Sequence, residues 1–472
     1  MKQKTYPLNI SRQIDTNFRN YALYVLENRG IPNFYDALTN VQRFIMINAP
    51  AQYNKTMSLV GSCMSDGYHH GDASLTKAIN RLARPFGNSE QLLNGDGFFG
   101  SPVTQEASAA RYTSIRINPT IADMIRKNNF LNTRDAEGSY DPLWVDLPIG
   151  LTNTIVGIAV GYKSTVLPRN LSDVQKFLDG EITEVIPYFK GSKCKVTRYK
   201  GMDKSWLIEG RLEINAKNKT VRIVELPPLM KYGSFLKKLD SIITGYNVRL
   251  VNNSLNEIDL TVTLTGSKED WESFVIAIDR ATKMLVTETP IFVKDGLVIE
   301  YERVEDYIND FRYRLGDLRV RKLTYHMNVT DEELLFQKFK EKYLLFMLEG
   351  KGKKMRTDEE IDSFLTDLTV GHPNVRRRLD SIYLKSLSDD ELQRTRDKIK
   401  KLTSELATQK KELAVAIKAF EKMTDTSLAR ATTNRANSTT NLFAEEEEID
   451  GIEVFGASAV YAGDDEDEED EN

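Results

Sequence analysis

Apolar residues in the N-terminal part of the chain recur at the spacing of amphipathic helices. A first series precedes the helix-breaking residues Gly30 and Pro32. Its members are Phe18, Tyr21, Ala22, Val25 and Leu26. A second series starts near Asp72 and stops at Pro85. Its apolar stripe consists of Leu75, Ile79, Leu82 and Ala83. Each series predicts one amphipathic helix.

The pattern changes from helical to alternating after the Asn-Gly and Asp-Gly turns at residues 94–97. Apolar Ile115 and Ile117 then alternate with polar residues, and the series begins at Tyr112. As a strand, this alternation places Tyr112 on the polar face. Short helices followed by a strand and a turn are typical of a winged-helix DNA-binding unit, which we predict for residues 10–150.

The next block, residues 151–300, is rich in runs that favour β-strands, such as 221–224 and 260–264. It also contains a cluster of cationic residues. These are Lys193, Lys195, Arg198, Lys200, Lys204 and Arg211. The block therefore predicts a mixed α/β domain with a basic surface.

Residues 301–425 have a helical pattern, and a heptad-like repeat within them predicts a long helix over about 389–423. Its apolar positions are Leu392, Ile399, Leu402, Leu406, Leu413, Ala416 and Phe420. A helix of that length reaches roughly 50 Å and most often pairs with another helix, here expected from the preceding segment. Residues 426–472 are polar and then acidic, so we expect a disordered tail. The fold class predicted for the whole chain is mixed α/β with several domains.

The composition is that of an ordinary globular protein, with 40% hydrophobic and 28% charged residues. No apolar run is long enough to span a membrane. The N-terminal residues lead into no apolar segment of a secretory signal. The only cysteines, Cys63 and Cys194, form no CxxC pair, which argues against a disulfide framework and a cysteine-based zinc site. We therefore expect a cytoplasmic location.

The net charge of −5 conceals an uneven distribution of charge. Residues 436–472 contain fourteen Asp or Glu and no Lys or Arg, so the first 435 residues carry a net charge of +9. A positive body with an acidic tail is typical of a protein that binds a polyanion and carries its own competitor. The alternative is a tail that only improves solubility.

Six segments, in the same order, resemble the DNA-breaking A subunits of type IIA DNA topoisomerases, with the closest likeness among bacteriophage members. They are Glu27–Pro32, Val41–Arg43, Gly67–Asp72, Leu93–Ser101, Ala109–Thr113, and Gly157–Gly161 with Val166 and Pro168. The resemblance implies a winged-helix DNA-binding domain, an α/β tower domain and a helical coiled-coil dimer gate.

The resemblance implies that Tyr112 is a nucleophile that attacks a phosphodiester and holds the broken strand as a covalent ester. Tyrosine titrates near pH 10, so only about one in 10³ is phenolate at neutral pH and the attack needs a base, a water or nearby positive charge. Arg111 would stabilise the charge on phosphorus as a bidentate donor. Adjacent residues of an ideal strand face opposite sides, so the two share a phosphate only if the chain turns there.

The family likeness assigns further roles to the remaining site residues. His70 would hydrogen-bond a phosphate oxygen or help the proton transfer. His69, Arg29 and Arg43 would contact DNA, and Val166 would wedge between base pairs. Each also has a structural alternative: a histidine pair that caps the next helix, arginines on a solvated face, a buried loop valine, and an ordinary half-buried tyrosine at position 112.

The likeness also implies partners, because the chain contains neither a P-loop for ATP nor the Glu and Asp-x-Asp set of the family's metal-binding Toprim domain. Mg²⁺ and ATP are both expected on a partner subunit that carries the ATPase and Toprim domains. Two copies of this chain would pair through winged-helix and coiled-coil gates and act on double-stranded DNA, by relaxation and decatenation, in a host cytoplasm if viral. The rival hypothesis is a noncatalytic, dimeric winged-helix DNA scaffold.

Overall fold

The chain forms two compact units in a computed structural model. The structure describes residues 17–435, except 19, 23, 27–29, 135–137, 267–269, 350–356 and 383–387, together with 453–455. The first unit contains the described residues up to Arg312 and strand 453–455. The second unit starts at Tyr313. The finer division of the first unit at residue 150 stays a prediction.

The first unit begins with helices and a three-stranded antiparallel sheet. In chain order these are α1 (Asn40–Asn48), β1 (Asn54–Lys55), α2 (Thr56–Ser65), α3 (Asp72–Ala83), β2 (Leu93–Asp96), β3 (Ser114–Ile117) and α4 (Pro119–Arg126). Strand β3 is central, and its Ile115 lies opposite Asn54 of β1 and Gly95 of β2. The apolar stripe predicted on the second helix is buried in α3, which confirms that helix. Ile115 and Ile117 are buried in β3, which confirms the predicted strand.

The helix predicted near the N-terminus is present, but its apolar stripe is mostly not buried. The described residues between 17 and 25 are helical. Phe18 and Tyr21 are more than half exposed, at 57% and 56%, while Leu26 is buried. The helical spacing therefore predicted the helix correctly but predicted the burial of its apolar residues only in part. Spacing along the chain does not show which other element covers a face of the helix.

Two four-stranded sheets follow a β-hairpin. The hairpin is β4 (Ile155–Ala159) and β5 (Tyr162–Val166), and α5 (Leu171–Asp179) comes next. The strands are β6 (Lys195–Arg198), β7 (Ser205–Glu209), β8 (Arg211–Asn215), β9 (Thr220–Glu225), β10 (Val248–Asn252), β11 (Leu260–Leu264) and β12 (Lys283–Thr287). The helices among them are α6 (Tyr232–Ile243) and α7 (Asp270–Ala281). The strand runs predicted at 221–224 and 260–264 are confirmed as parts of β9 and β11.

The order of the first sheet is β10-β11-β9-β8, with all pairs antiparallel. In the second sheet, β6, β7 and β12 are antiparallel neighbours, and β15 (Glu453–Phe455) adds to β12 in parallel. One apolar core serves both sheets. It includes Trp206, Ile208, Val221, Ile223, Phe235, Val262 and Phe274. A second hairpin, β13 (Ile291–Lys294) and β14 (Leu297–Glu300), leads into helix α8 (Val304–Glu349).

The predicted basic surface of this region is largely neutralised by carboxylates. Four of the six clustered cations form ion pairs in the structure. These pairs are Lys195–Glu209, Arg198–Glu184, Lys204–Glu302 and Arg211–Glu225. The sequence interpretation counted the cations but not the carboxylates, which antiparallel strand pairing and neighbouring loops bring next to them. The surface is therefore less positive than expected.

The second unit consists of helices, as predicted. They are α8 from Tyr313 onward, α9 (Asp358–Leu368), α10 (Pro373–Asp380) and α11 (Asp389–Arg435). Helix α11 pairs with α8 through the ion pairs Lys340–Glu391, Arg396–Glu341 and Lys398–Glu333, and through Tyr313 and Phe420, whose ring centroids are 4.8 Å apart. The predicted pairing of the long helix is therefore confirmed, and the helix continues past residue 423.

The tail predicted to be disordered falls mostly outside the described residues. Within residues 426–472, the structure describes only the last turns of α11, to Arg435, and strand β15. The disorder of the remainder stays a prediction.

A buried ion pair ties the chain just after β5 to the sheet that contains β7 and β12. Arg169 is fully buried, and its Nη2 donates to Glu288 at 2.7 Å while its Nη1 donates to Glu288 at 3.0 Å and to the Leu167 carbonyl at 2.8 Å. Glu288 also accepts from the Trp206 indole at 2.8 Å. Removing one partner of such a pair strongly destabilises the fold, because the other charge is left buried.

We expect Glu288→Ala to lower the free energy of unfolding by about 3–5 kcal/mol, because it leaves the Arg169 guanidinium buried without its carboxylate. Urea unfolding followed by tryptophan fluorescence measures the loss. The control is Glu302→Ala, which removes an exposed partner of Lys204 and should cost less than about 1 kcal/mol. Equal losses in the two variants would contradict the assignment.

Candidate active site

Tyr112 lies in a turn immediately before β3. Its backbone N–H donates to the Ala109 carbonyl at 2.9 Å, and the strand begins only at Ser114. The prediction that Tyr112 sits on the polar face of the strand is therefore corrected. The turn places Tyr112 and Arg111 together: the guanidinium carbon of Arg111 lies 5.6 Å from the centroid of the Tyr112 ring. Tyr112 is 72% exposed, and Arg111 is exposed too.

The residues around this turn are held firmly by hydrogen bonds. The buried Thr113 hydroxyl lies 2.7 Å from the Thr56 hydroxyl, and the Thr56 N–H donates to the Thr113 carbonyl at 3.1 Å. The Ser108 N–H donates to the Phe98 carbonyl at 2.9 Å. Gly97 faces Thr113 with φ of 109°, a backbone conformation that favours glycine. The exposed phenol and guanidinium therefore extend from a backbone segment that hydrogen bonds hold in place.

His70 lies in the loop between α2 and α3 and contacts two tyrosines. Its Nε2 is 3.1 Å from the Tyr24 hydroxyl oxygen. Its ring stands edge-on to Tyr68, with centroids 5.3 Å apart and an interplanar angle of 79°. The adjacent His69 is exposed. The alternative in which the histidine pair caps α3 is not supported, since Gly71 occupies the N-cap position.

A polar cluster supports the start of this loop. The Asp66 carboxylate accepts from the Asn48 amide at 2.7 Å, and also from Arg134 and the Tyr140 hydroxyl. Burial acts to raise the pKa of Asp66, but hydrogen bonds from Tyr140, Arg134 and Asn48 outweigh it and hold that pKa below its usual value. Burial, reinforced by Asp66, raises the pKa of Tyr140 to about 12. The cluster fixes the backbone two residues before Tyr68.

Residues 29–429 match the family model that describes the A subunit of DNA gyrase/topoisomerase IV. This chain belongs to that family. The match covers the turn that bears Tyr112, the His69–His70 loop and most of both compact units.

Curated relatives agree with the family model. The chain is 29% identical over 240 residues to the DNA topoisomerase medium subunit of Enterobacteria phage T4, covering 48% of this chain and 53% of that protein. It is 32% identical over 179 residues to the DNA gyrase A subunit of Haloquadratum walsbyi, covering 35% of this chain and 21% of that protein. The chain thus spans about half or less of the length of these relatives.

A solved structure supports the fold. The Plasmodium falciparum topoisomerase II DNA-binding, cleavage and re-ligation domain superposes with a TM-score of 0.67 at 19% identity. The superposition covers 89% of this chain and 64% of that one. At this identity the likeness establishes a shared mixed α/β, multi-domain fold.

Within this family member, Arg43 does not lie where a phosphate contact requires. The side chain is buried, its Nε donates to Asp36 at 2.6 Å, and its Nη2 donates to the Leu38 carbonyl at 3.0 Å. Asp36 also accepts from the backbone N–H groups of Leu38 and Leu143, both at 2.9 Å. The structure therefore corrects the predicted DNA contact: Arg43 holds the segment before α1 in place.

Val166 is also corrected. Its side chain is fully buried at the end of β5, opposite Ile155 of β4. A wedge must project from the surface to enter a base step. On the same hairpin the aliphatic side chains of Ile158 and Val160, close to the turn, are exposed. The structural alternative, a buried valine, fits this residue.

The other predicted DNA contacts have different outcomes. Arg29 lies outside the described residues, so its role stays a prediction. His69 is exposed, which is compatible with a DNA contact but does not test it. Tyr24 was missed by the sequence interpretation, because nothing in the sequence links it to His70, which is 46 residues away.

Metal-binding clusters and membrane-spanning helices are both missing from the described residues. Within those ranges, no three His, Cys, Asp or Glu side chains come together in a way that could hold a metal ion. None of the helices in the described part of the chain is long and apolar enough to cross a membrane.

For Arg43 we expect a structural effect. Arg43→Ala should lower the free energy of unfolding by about 3–5 kcal/mol, since Asp36 is then a buried, unpaired carboxylate. The log–log salt slope of DNA binding should not change, whereas loss of a phosphate contact would reduce it by about 0.9. Urea unfolding and DNA binding across a salt series measure the two effects. Arg126→Ala, which removes an exposed arginine, is the control for stability.

Proposed function

We propose that this chain is the DNA-breaking and rejoining subunit of a type IIA topoisomerase. The observation that carries the proposal is the turn that presents an exposed Tyr112 beside Arg111. The hydrogen bond between Thr113 and Thr56 anchors the backbone next to this turn. Family membership supports the same assignment. A tyrosine that is to be esterified to DNA must reach the backbone of a duplex, which a buried phenol could not do.

The proposed reaction exchanges one phosphodiester for another. The phenolic oxygen of Tyr112 attacks the phosphorus, a bond forms between them, and the bond from phosphorus to the 3′ oxygen breaks. The phenol loses its proton and the departing 3′ oxygen gains one, so Tyr112 holds the 5′ end of the strand. Because the new ester is close in energy to the old one, rejoining is a simple reversal.

Arg111 and His70 have the properties needed to assist this step. A guanidinium next to the phenol can donate two parallel hydrogen bonds to phosphate oxygens as negative charge develops. A half-buried imidazole can donate to a non-bridging oxygen or take part in proton transfer. His69 and Arg29 remain predicted contacts to the DNA.

The family of type IIA topoisomerases uses Mg²⁺ and ATP. The described residues of this chain contain no set of donors that could hold the metal ion. We infer instead that a partner subunit with ATPase and Toprim domains provides both sites.

The remaining parts of the chain suit the architecture that this function needs. In the proposal, residues 10–150 form the winged-helix domain and 151–300 the tower domain. The helices of 301–425 form the coiled-coil gate of a homodimer. Two copies cut opposite strands, and a second duplex passes through the break. Relaxation and decatenation are the expected outcomes.

We expect Tyr112→Phe to abolish covalent adducts while leaving DNA binding within about twofold, because only the nucleophilic oxygen is lost and the exposed ring remains. Plasmid is incubated with the chain and its partner subunit, trapped with denaturant and assayed for protein attached to 5′ ends. The control is Tyr53→Phe, another exposed tyrosine, which stacks against Arg116. Adducts that persist in Tyr112→Phe would point to another nucleophile, and none in the wild type would favour the noncatalytic scaffold.

Arg111→Ala should slow adduct formation about 10²–10³-fold, the usual effect of removing one donor to a developing negative charge. DNA affinity should fall far less, because one exposed cation contributes little to total binding. Single-turnover cleavage and equilibrium binding at the same salt concentration separate the two. Arg126→Ala is the matched exposed arginine, and a similar slowing there would refute a local role for Arg111.

A further inference from the structure

The geometry points to Tyr24 as a positioning residue that fixes the tautomer and orientation of His70. The inference rests on the proposed function only for its consequence in DNA cleavage. The contact itself joins the N-terminal helical segment to the loop between α2 and α3, 46 residues apart in the chain. Only the tertiary structure brings the two side chains together.

The imidazole of His70 is constrained from two directions. Tyr68, which is buried, stands edge-on to the ring at 5.3 Å and restricts its rotation. The Tyr24 hydroxyl lies 3.1 Å from Nε2, and the two rings are 6.4 Å apart at 63°. A half-buried imidazole that packs edge-on to Tyr68 and shares a hydrogen bond with Tyr24 has little freedom to rotate.

The hydrogen bond also selects which nitrogen carries the proton. A neutral imidazole has one N–H donor and one bare nitrogen that accepts. A phenol is a good donor and a weak acceptor, because its oxygen lone pair is conjugated with the ring, while a bare imidazole nitrogen is a strong acceptor. The favoured arrangement is therefore Tyr24 Oη–H donating to Nε2, with the proton of His70 on Nδ1.

This choice of tautomer matters for a contact to phosphate. A histidine that donates to a phosphate oxygen must present an N–H, and with Nε2 occupied by Tyr24 that group is Nδ1–H. In water, neutral histidine prefers the opposite tautomer, with its proton on Nε2. Without the Tyr24 hydroxyl, His70 would spend more of its time in the form whose Nδ1 is bare and cannot donate.

Nuclear magnetic resonance of the histidine ring nitrogens tests the contact directly. The chain has only four histidines, so selective ¹⁵N labelling and a His70→Gln variant identify the signal of His70. At about pH 8.5, where histidine is ordinarily neutral, we expect the Nδ1–H tautomer in the wild type and a shift toward Nε2–H in Tyr24→Phe. An Nε2–H tautomer in the wild type, or no shift in Tyr24→Phe, would overturn the inference.

Tyr21→Phe is the matched control, since Tyr21 is an exposed tyrosine of the same helical segment. It should leave the His70 signals unchanged. Tyr24→Phe removes only a hydroxyl from a partly exposed ring, and thermal unfolding should match the wild type. A change of tautomer in Tyr21→Phe as large as that in Tyr24→Phe would also overturn the inference, because it would show a general effect of the segment.

Cleavage of plasmid DNA by the chain with its partner subunit tests the consequence. Tyr24→Phe should slow adduct formation about three- to tenfold, the effect of losing one hydrogen bond, with DNA affinity unchanged. In a His70→Ala background the same substitution should have no further effect, because Tyr24 acts through His70. Additive slowing, or a shifted tautomer with normal cleavage, would refute the positioning role. If the wild type forms no adducts, the proposed function fails. The spectra would still test whether Tyr24 sets the tautomer of His70.

Discussion

The hydrogen bond between the hydroxyls of Thr56 and Thr113, at 2.7 Å, is the constraint on which the candidate site depends. It fixes the residue just before the central strand of the small sheet to the start of α2. Thr113 is fully buried, while Tyr112, one residue earlier, is mostly exposed. A reactive side chain can be both accessible and accurately placed only when its neighbour is anchored in this way.

Charged residues in this chain serve two distinct purposes, and burial separates them. Arg43 with Asp36, and Arg169 with Glu288, are pairs removed from solvent whose remaining hydrogen bonds are taken up largely by backbone groups and neighbouring side chains. A desolvated pair of this kind adds little net stability, but removing one partner is strongly destabilising because the other charge is left buried. Arg111 is exposed, and its charge remains available to an anionic partner.

The two adjacent histidines show how a loop creates different environments for identical side chains. His69 is exposed, whereas His70 packs edge-on to Tyr68 and contacts the Tyr24 hydroxyl. The start of the loop is held in place because the Asp66 carboxylate accepts hydrogen bonds from Tyr140, Arg134 and Asn48. The loop therefore gives one imidazole a defined orientation and leaves the other at the surface.

The sequence by itself determined the buried stripe of α3, the strand that contains Ile115 and Ile117, and the long helix α11, because each is encoded by local periodicity. It also determined the family likeness, since each of the six segments is contiguous and they follow the order of the family. Only the tertiary structure decided the surroundings of Arg43, Val166 and Tyr24. Arg43 is buried with Asp36, whose carboxylate also accepts from the Leu143 N–H 107 residues away. Val166 is buried at the end of β5, and Tyr24 reaches His70 across 46 residues. Spacing along a chain records the period of an element, but it does not record which other element covers each face.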